Sequence, residues 1–403
     1  MVENSDNAPR RDPRYWRTAS HGPRILFFTG GSALRGLSRR LKLSTWNSIH
    51  IVTPFDSGGS SAEIRHAFHM PSVGDLRNRL LALADEGSDG DAALFHFLAF
   101  RLPEEAEEAE LRVRLASMVD GEDDLIEPVP EPVRSVMREL LGCCAEALPE
   151  SFRLRGASIG NLVLAGGYLR EDRSLARVID TIAEFAQVRG IVRPVTEEDL
   201  QLGAVLKDGR EVVGQHLLTG KAAPALDAPI RDLFFVRDGV RSEAHATDEV
   251  IELIASADMI VYPMGSLFSS VLCNLMPVGV GKAIVASDAL KVFIPNVGRD
   301  PEQLGVGPEA AIEWIESIVR RDAGAATPRE KIVGTVIHLP AGEYGKNETL
   351  RVRARVTGFD REAYGISPAA TPGWLARVQS LAPVVARTGT IEVNIFARDA
   401  AKQ

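Results

Sequence analysis

Apolar positions fall in short runs that alternate with glycine-rich turns and with stretches of helical spacing. The first run, Arg24–Phe28, ends in Thr29-Gly30-Gly31-Ser32, and Leu34, Leu37 and Leu41 then recur at helical intervals. A second strand, His50–Thr53, runs into Asp56-Ser57-Gly58-Gly59-Ser60-Ser61, and a helix carrying Leu76, Leu80, Leu81 and Leu83 starts near Val73. Residues 160–168 and 175–187 read as helices, 233–236 as a strand, and 246–256 as an amphipathic helix with Val250, Ile251 and Ile254 on one face. Asp208-Gly209 between the strand-like runs 202–206 and 211–217 is a hairpin signal. Met259–Tyr262 is a strand running into Pro263-Met264-Gly265-Ser266, and Ala283–Ala286 and Val292–Ile294 read as further strands. Strands alternating with helices predict an α/β fold, a three-layer α/β/α Rossmann-like core with a mainly parallel sheet.

Two regions depart from this rhythm. Residues 85–150 are acidic and helix-forming, with Glu104, Glu105, Glu107, Glu108 and Glu110 in one run. They read as a helical insertion, a candidate lid, with the glutamates on a solvated face. Beyond residue 305 a helix at 309–321 precedes strand-like runs at 332–339, 350–356 and 391–396, a small α+β C-terminal region. The division is therefore a flexible tail at 1–23, a nucleotide-binding α/β domain at 24–305 and the region 306–403.

Composition narrows the function classes. With 46 Lys and Arg against 55 Asp and Glu, the net charge is −9, which disfavours non-specific nucleic-acid binding. The three cysteines, two of them adjacent (Cys143, Cys144), offer neither a disulfide framework nor a zinc knuckle. No apolar run is long enough to cross a membrane, and the arginine-bearing tail lacks the apolar segment of a secretion signal. A cytoplasmic protein is expected, which makes the sequon at Asn347 a chance match.

Three loops carry candidate chemistry. Gly30-Gly31-Ser32-Ala33-Leu34-Arg35-Gly36-Leu37-Ser38 is a near miss to a P-loop: Leu37 stands where the lysine belongs, and the spacing is not that of a dinucleotide fingerprint. What survives is backbone N–H groups able to approach an anion ahead of a helix; the alternative is a tight strand–helix turn. The loop at 56–61 offers a carboxylate, an exposed backbone at Gly58 and Gly59, and hydroxyls including Ser60. These are oxygen donors of the kind Mg²⁺ takes, or else Asp56 caps the next helix. Asp75, at the start of a helix in Pro71–Asn78, is a second carboxylate, for which helix capping is the favoured reading. Gly265, Ser266, Ser269 and Ser270 open a segment after a strand, an anion cradle or a plain N-cap by Ser266. His66 and His69 share a helix face without a third partner, and no serine-hydrolase or zinc-protease pattern is present.

In this order the segments resemble the CofD-like family, which contains 2-phospho-L-lactate transferases and YvcK-type gluconeogenesis factors. The resemblance rests on Gly30-Gly31, on Asp56–Ser61 (family pattern D-D-G-G-S-S), on PSVGDLRN at 71–78, on Ser158–Leu162, and on PMGSLFSSVLCNLMPVGVGKAI at 263–284. It is closer to the YvcK-type branch, and a further group tied to an ATP-grasp and kinase-like gene cluster also suits the sequence. The resemblance implies a dimeric α/β/α protein. Gly30, Gly31 and the segment 265–270 would hold the diphosphate of a nucleotide or nucleotide-linked molecule, Asn161 would line the cleft, and Asp56 and Asp75 would hold Mg²⁺. It further implies a Mg²⁺-dependent transferase moving a phospho-linked group to a hydroxyl acceptor, with Asp56 as the catalytic residue. The alternative is a non-catalytic regulator binding a nucleotide sugar or dinucleotide. Ser57 replaces the second aspartate of the family pair, and Val292–Asn296 departs from the family stretch.

Overall fold

The computed structural model describes residues 19–85, 89–220, 226–296 and 300–338 and the strands 350–357, 386–387 and 390–395; the expected tail before residue 19 and the sequon lie outside them. Strands β1 (Ile25–Thr29), β2 (Ile49–Val52) and β3 (Ile191–Pro194) run parallel. Helix α1 (Arg35–Leu41) joins β1 to β2. Seven helices separate β2 from β3: α2 (Gly59–Phe68), α3 (Gly74–Leu83), α4 (Asp89–Ala99), α5 (Glu108–Asp120), α6 (Val133–Ala147), α7 (Ile159–Arg170) and α8 (Leu175–Phe185). A separate antiparallel sheet follows, made of β4 (Gln201–Leu206), β5 (Glu211–Val213), β6 (Ile230–Arg237) and β7 (Val240–Ser242), with α9 (Gln215–Leu218) after β5. The chain then returns through α10 (Asp248–Ala255) to β8 (Met259–Tyr262), α11 (Cys273–Leu275), α12 (Val280–Ala286), β9 (Leu290–Phe293), α13 (Pro308–Ala323) and β10 (Thr335–His338). Strands β11 (Leu350–Thr357), β12 (Ala386–Arg387) and β13 (Thr390–Ile395) complete the edge.

The large sheet has the order β12-β13-β11-β10-β9-β8-β1-β2-β3, parallel from β10 to β3 and antiparallel beyond β10. After β1 the chain builds toward β3 on one side; from β8 it builds toward β10 on the other. The reversal opens a crevice at the carboxyl ends of β1 and β8, where open α/β sheets bind their ligands. Alternate residues Leu26 and Phe28 of β1 enter a core shared with α10, α12, α13 and the second sheet. The opposite core is built by α2 to α8.

Several boundaries differ from expectation. Ala283–Ala286 belongs to α12, because Val280, Ala283 and Ile284 bury one helical face beside α13. The strand expected to reach Leu217 stops at Val213, where Gly214 turns (φ +114°) into α9. Residues 306–338 share the core of what precedes them: Ile312, Ile315 and Val319 of α13 pack into it, and β10 pairs with β9. The boundary at 305 therefore parts no two cores. The 85–150 insertion is helical and docked, with Leu140 and Cys144 of α6 buried against α7. Gly166 of α7 lies so close to the Leu140 carbonyl that any side chain there would overlap it. Glu104, Glu105, Glu107 and Glu110 are exposed, and Glu108 accepts hydrogen bonds from the Leu154 and Arg155 amides.

Candidate functional site at the strand reversal

The loop after β1 is held from beneath. Arg79, fully buried in α3, donates from Nη2 to the Gly30 carbonyl (2.7 Å) and to Thr29 Oγ1 (2.9 Å), and from Nη1 to Ser38 Oγ (2.6 Å). Burial lowers its guanidinium to about 10, and Asp75 pulls in the other direction. Because a trans peptide sets N–H opposite C=O, a Gly30 carbonyl drawn inward turns the Gly31 amide away from Arg79. Asn274, also fully buried, donates to the carbonyls of Thr29 (3.1 Å) and Ser270 (2.8 Å), so one amide ties the β1 loop to the β8 loop.

Both glycines are required by close approach rather than by a positive φ. A Cβ on Gly30 would stand 2.6 Å from Ser270 Oγ, and one on Gly31 would overlap the Asp75 carboxylate and sit 3.0 Å from Asn78 Nδ2. Asp75 and Ser270 therefore meet the two glycines at one place. Asp56 comes in from β2: its Oδ1 accepts from the Gly58 amide (3.1 Å), and its Oδ2 lies 3.3 Å from where a Cβ on Gly74 would be. Asp56 thus reaches the first residue of α3, and Asp75 is the second. Arg65 fixes the backbone of this loop, donating to the Phe55 and Asp56 carbonyls and pairing with Asp199 at 2.6 Å.

The second sheet supplies a wall. Ser57 Oγ meets His216 Nδ1 at 2.8 Å, and Gln215 donates to the Ser269 carbonyl at 3.1 Å. The residue that stands where the family has a second aspartate is therefore engaged with an imidazole. On the other side Ser60 Oγ accepts from Asn161 Nδ2 (3.2 Å) and Arg101 Nη1 (3.4 Å). Gly58 and Ser60 are half-buried, Gly59 is exposed with φ +52°, and nothing lies within 4 Å of a Cβ placed on it. Ser32 is exposed beside the β1 loop.

The β8 loop differs from the expected cradle. Ser266 and Ser270 are half-buried, but Ser269 is fully buried and turns inward, its Oγ donating to Glu302 Oε1. Ser269 thus presents no hydroxyl to the crevice. The amides are also committed: Gly265 donates to Asn296 Oδ1 (2.7 Å), Leu267 to Asp300 Oδ2 (3.1 Å) and Ser269 to Glu302 Oε2 (2.9 Å). The chain's own acidic and amide side chains fill the role expected of a ligand anion at these three groups. Burial pushes the Glu302 carboxyl up to about 7, against the lowering effect of Ser269. Residues 267–272 are wound as a π-helical turn with Val271 donating to the Ser266 carbonyl, a local widening common at functional sites.

Several of these residues escaped sequence reasoning. Arg77, Asn78 and Asn274 lie inside noted motifs, but spacing does not tell which of their side chains turn inward. Arg79 directly follows the motif at 71–78, and Arg101, His216 and Glu302 lie outside the motifs. His66 and His69 are exposed at the end of α2, and no group of three His, Cys, Asp or Glu side chains suited to a metal occurs among the described residues. No helix among them is long and apolar enough to cross a membrane.

Known proteins are similar to this chain in sequence and in fold. The gluconeogenesis factor of Bacillus subtilis is 27% identical over 279 residues, 69% of each chain. A putative gluconeogenesis factor of Nostoc is 30% identical over 287 residues, 71% of this chain. One from Clostridium acetobutylicum is 28% identical over 282 residues, 70% of this chain. The match spans about half the length of these last two relatives, 49% of each. A crystal structure from Bacillus halodurans, of a protein in the UPF0052 family, superposes with a TM-score of 0.57 at 26% identity, covering 80% of this chain and 82% of that one. The family model described as 2-phospho-L-lactate transferase CofD matches residues 25–353, from the first residue of β1 into β11 and across every loop of the crevice. The chain belongs to the CofD family.

Proposed function

We propose that the crevice binds a nucleotide-diphosphate-linked molecule and passes a phospho-linked group from it to a hydroxyl acceptor. The observation that carries this reading is the convergence of Gly30, Gly31, Ser270 and Asp75 at the strand reversal, with Asp56 across the start of α3. The Gly31 amide, facing away from Arg79, and the Ser266 and Ser270 hydroxyls would take the diphosphate oxygens. Gly58, Gly59 and Ser60 line the β2 side, where an open helix N-terminus favours negative charge.

The donor set suits Mg²⁺, which takes one or two carboxylates and completes its shell with phosphate oxygens and water. Asp56 and Asp75 are the two that would hold it, and no third acidic side chain joins them among the described residues. When bound, the ion would offset charge developing on the phosphate oxygens. Asp56 orients the acceptor hydroxyl through the Oδ2 that Gly58 leaves open. The acceptor oxygen bonds to phosphorus, the diphosphate P–O bond breaks, a nucleoside monophosphate leaves and the hydroxyl proton passes to solvent. We include a homodimer in the proposal, to be checked by light scattering.

A thermal-shift panel of GDP, UDP-sugars, ADP and NAD, each with and without Mg²⁺, tests the reading. A ligand at a hundred times its Kd stabilises by about 2.7 kcal/mol. A Mg²⁺-dependent shift, with release of a nucleoside monophosphate that Asp56→Asn abolishes, is the expected result. Saturable binding without release of nucleoside monophosphate would favour the alternative, a non-catalytic regulator. No shift with any nucleotide would overturn the proposal.

A further inference from the structure

On the β2 side of the crevice two arginines make no ion pair among the described residues. Arg77 is 6% exposed; its Nη2 donates to Asn78 Oδ1 (2.8 Å), while Nε and Nη1 have no partner. Its stem crosses Gly160, where a Cβ would come within 2.8 Å of Cδ, so Arg77 lies beside Asn161. Arg101 is exposed and donates to Ser60 Oγ and to the Gly156 carbonyl (3.0 Å). Asp75 acts on Arg77 as an opposite charge, and Glu104 packs on Gly156. The two guanidinium groups oppose one another: burial first, then Arg101, lowers Arg77 to about 10. Asn161, fully buried, adds an Oδ1 with no partner; its amide turned end for end would accept the Ser60 hydroxyl and present Nδ2 instead. The N-terminus of the ten-residue helix α2 opens at the same place.

We infer that this corner is a second anion subsite, taking a carboxylate or phosphate group that the ligand carries beyond its diphosphate. Repelling cations, a buried guanidinium with two unsatisfied nitrogens and a helix N-terminus share one need, an anionic oxygen group. The inference rests on the proposed function in placing the diphosphate at the strand reversal, and it narrows the substrate class to molecules acidic at both ends of the crevice.

The test is titration of the full chain with inorganic phosphate, alone and after saturation with GDP, followed by calorimetry. Wild type is expected to bind phosphate in both states. Arg101→Gln, an exposed position that leaves the core untouched, should lose at least tenfold in phosphate affinity while its GDP affinity stays within twofold. Asn161→Asp, which adds a negative charge at the same corner, should lose as much. Phosphate affinity unchanged in Arg101→Gln, or no phosphate binding by the GDP-saturated wild type, would overturn the subsite. Failure of GDP to bind while phosphate binds in an Arg101-dependent way would overturn the nucleotide proposal and leave the subsite standing.

Discussion

Glu302 offers a prediction that can be worked through from the structure. Its carboxylate is 1% exposed, accepts from the Ser269 amide and hydroxyl, and is raised from an ordinary 4.5 to about 7, chiefly by burial. In the unfolded chain it titrates normally, so between pH 4.5 and 7 the folded state holds more proton than the unfolded state. Folding stability from this group is then greatest below pH 4.5, falls as pH rises through about 7, and is level above it. The gap of about 2.5 pH units corresponds to a loss on the order of 3 kcal/mol. Glu302→Gln keeps an oxygen for the Ser269 amide and a donor for its hydroxyl, but cannot ionise. Urea unfolding of both proteins at pH 4.5, 5.5, 6.5 and 8, at fixed ionic strength, isolates the effect. The stability of the Gln variant relative to wild type should rise by roughly 3 kcal/mol across the series. A difference that stays constant from pH 4.5 to 8 would refute the reasoning.

Other outcomes follow from the same geometry. Ser270→Ala should weaken GDP binding several-fold, whereas Ser269→Ala, whose hydroxyl points at Glu302, should lower the unfolding midpoint and leave GDP affinity unchanged; calorimetry and urea melts separate the two. Asn274→Ala strips donors from the Thr29 and Ser270 carbonyls and should cost about 2 kcal/mol or more, read from the urea midpoint. The Gly31→Ala methyl group would collide with the Asp75 carboxylate, so Mg²⁺-dependent stabilisation by GDP should be lost while the fold persists, as seen by circular dichroism.

How far the sequence revealed this molecule depended on whether each signal was local. Strands β1, β2 and β8 are short, largely apolar runs that lead within six residues into glycine- and serine-bearing loops, so the strand and its loop are legible together. The four-residue strand β3 is half-polar and ends in proline, and it passed unmarked beside the longer helices. The run 283–286 is apolar in a way that fits a strand or a buried helix, and only packing against α13 decides between them. The three serines after β8 look alike in sequence; Ser269 is set apart by Glu302, 33 residues away. Asp56 and Asp75 were legible as candidates because each sits in a conspicuous loop or helix start. Arg101 had no local signal, since it meets Ser60 only through the docking of the helical insertion.

The central claim is a nucleotide diphosphate seated at the strand reversal, and a crystal structure with GDP and Mg²⁺ tests it most directly. The account predicts the diphosphate between the Gly30–Gly31 loop and Ser266 and Ser270, with the ion between it and Asp56 and Asp75. A nucleotide found elsewhere on the chain, or a diphosphate that contacts neither glycine, would contradict it.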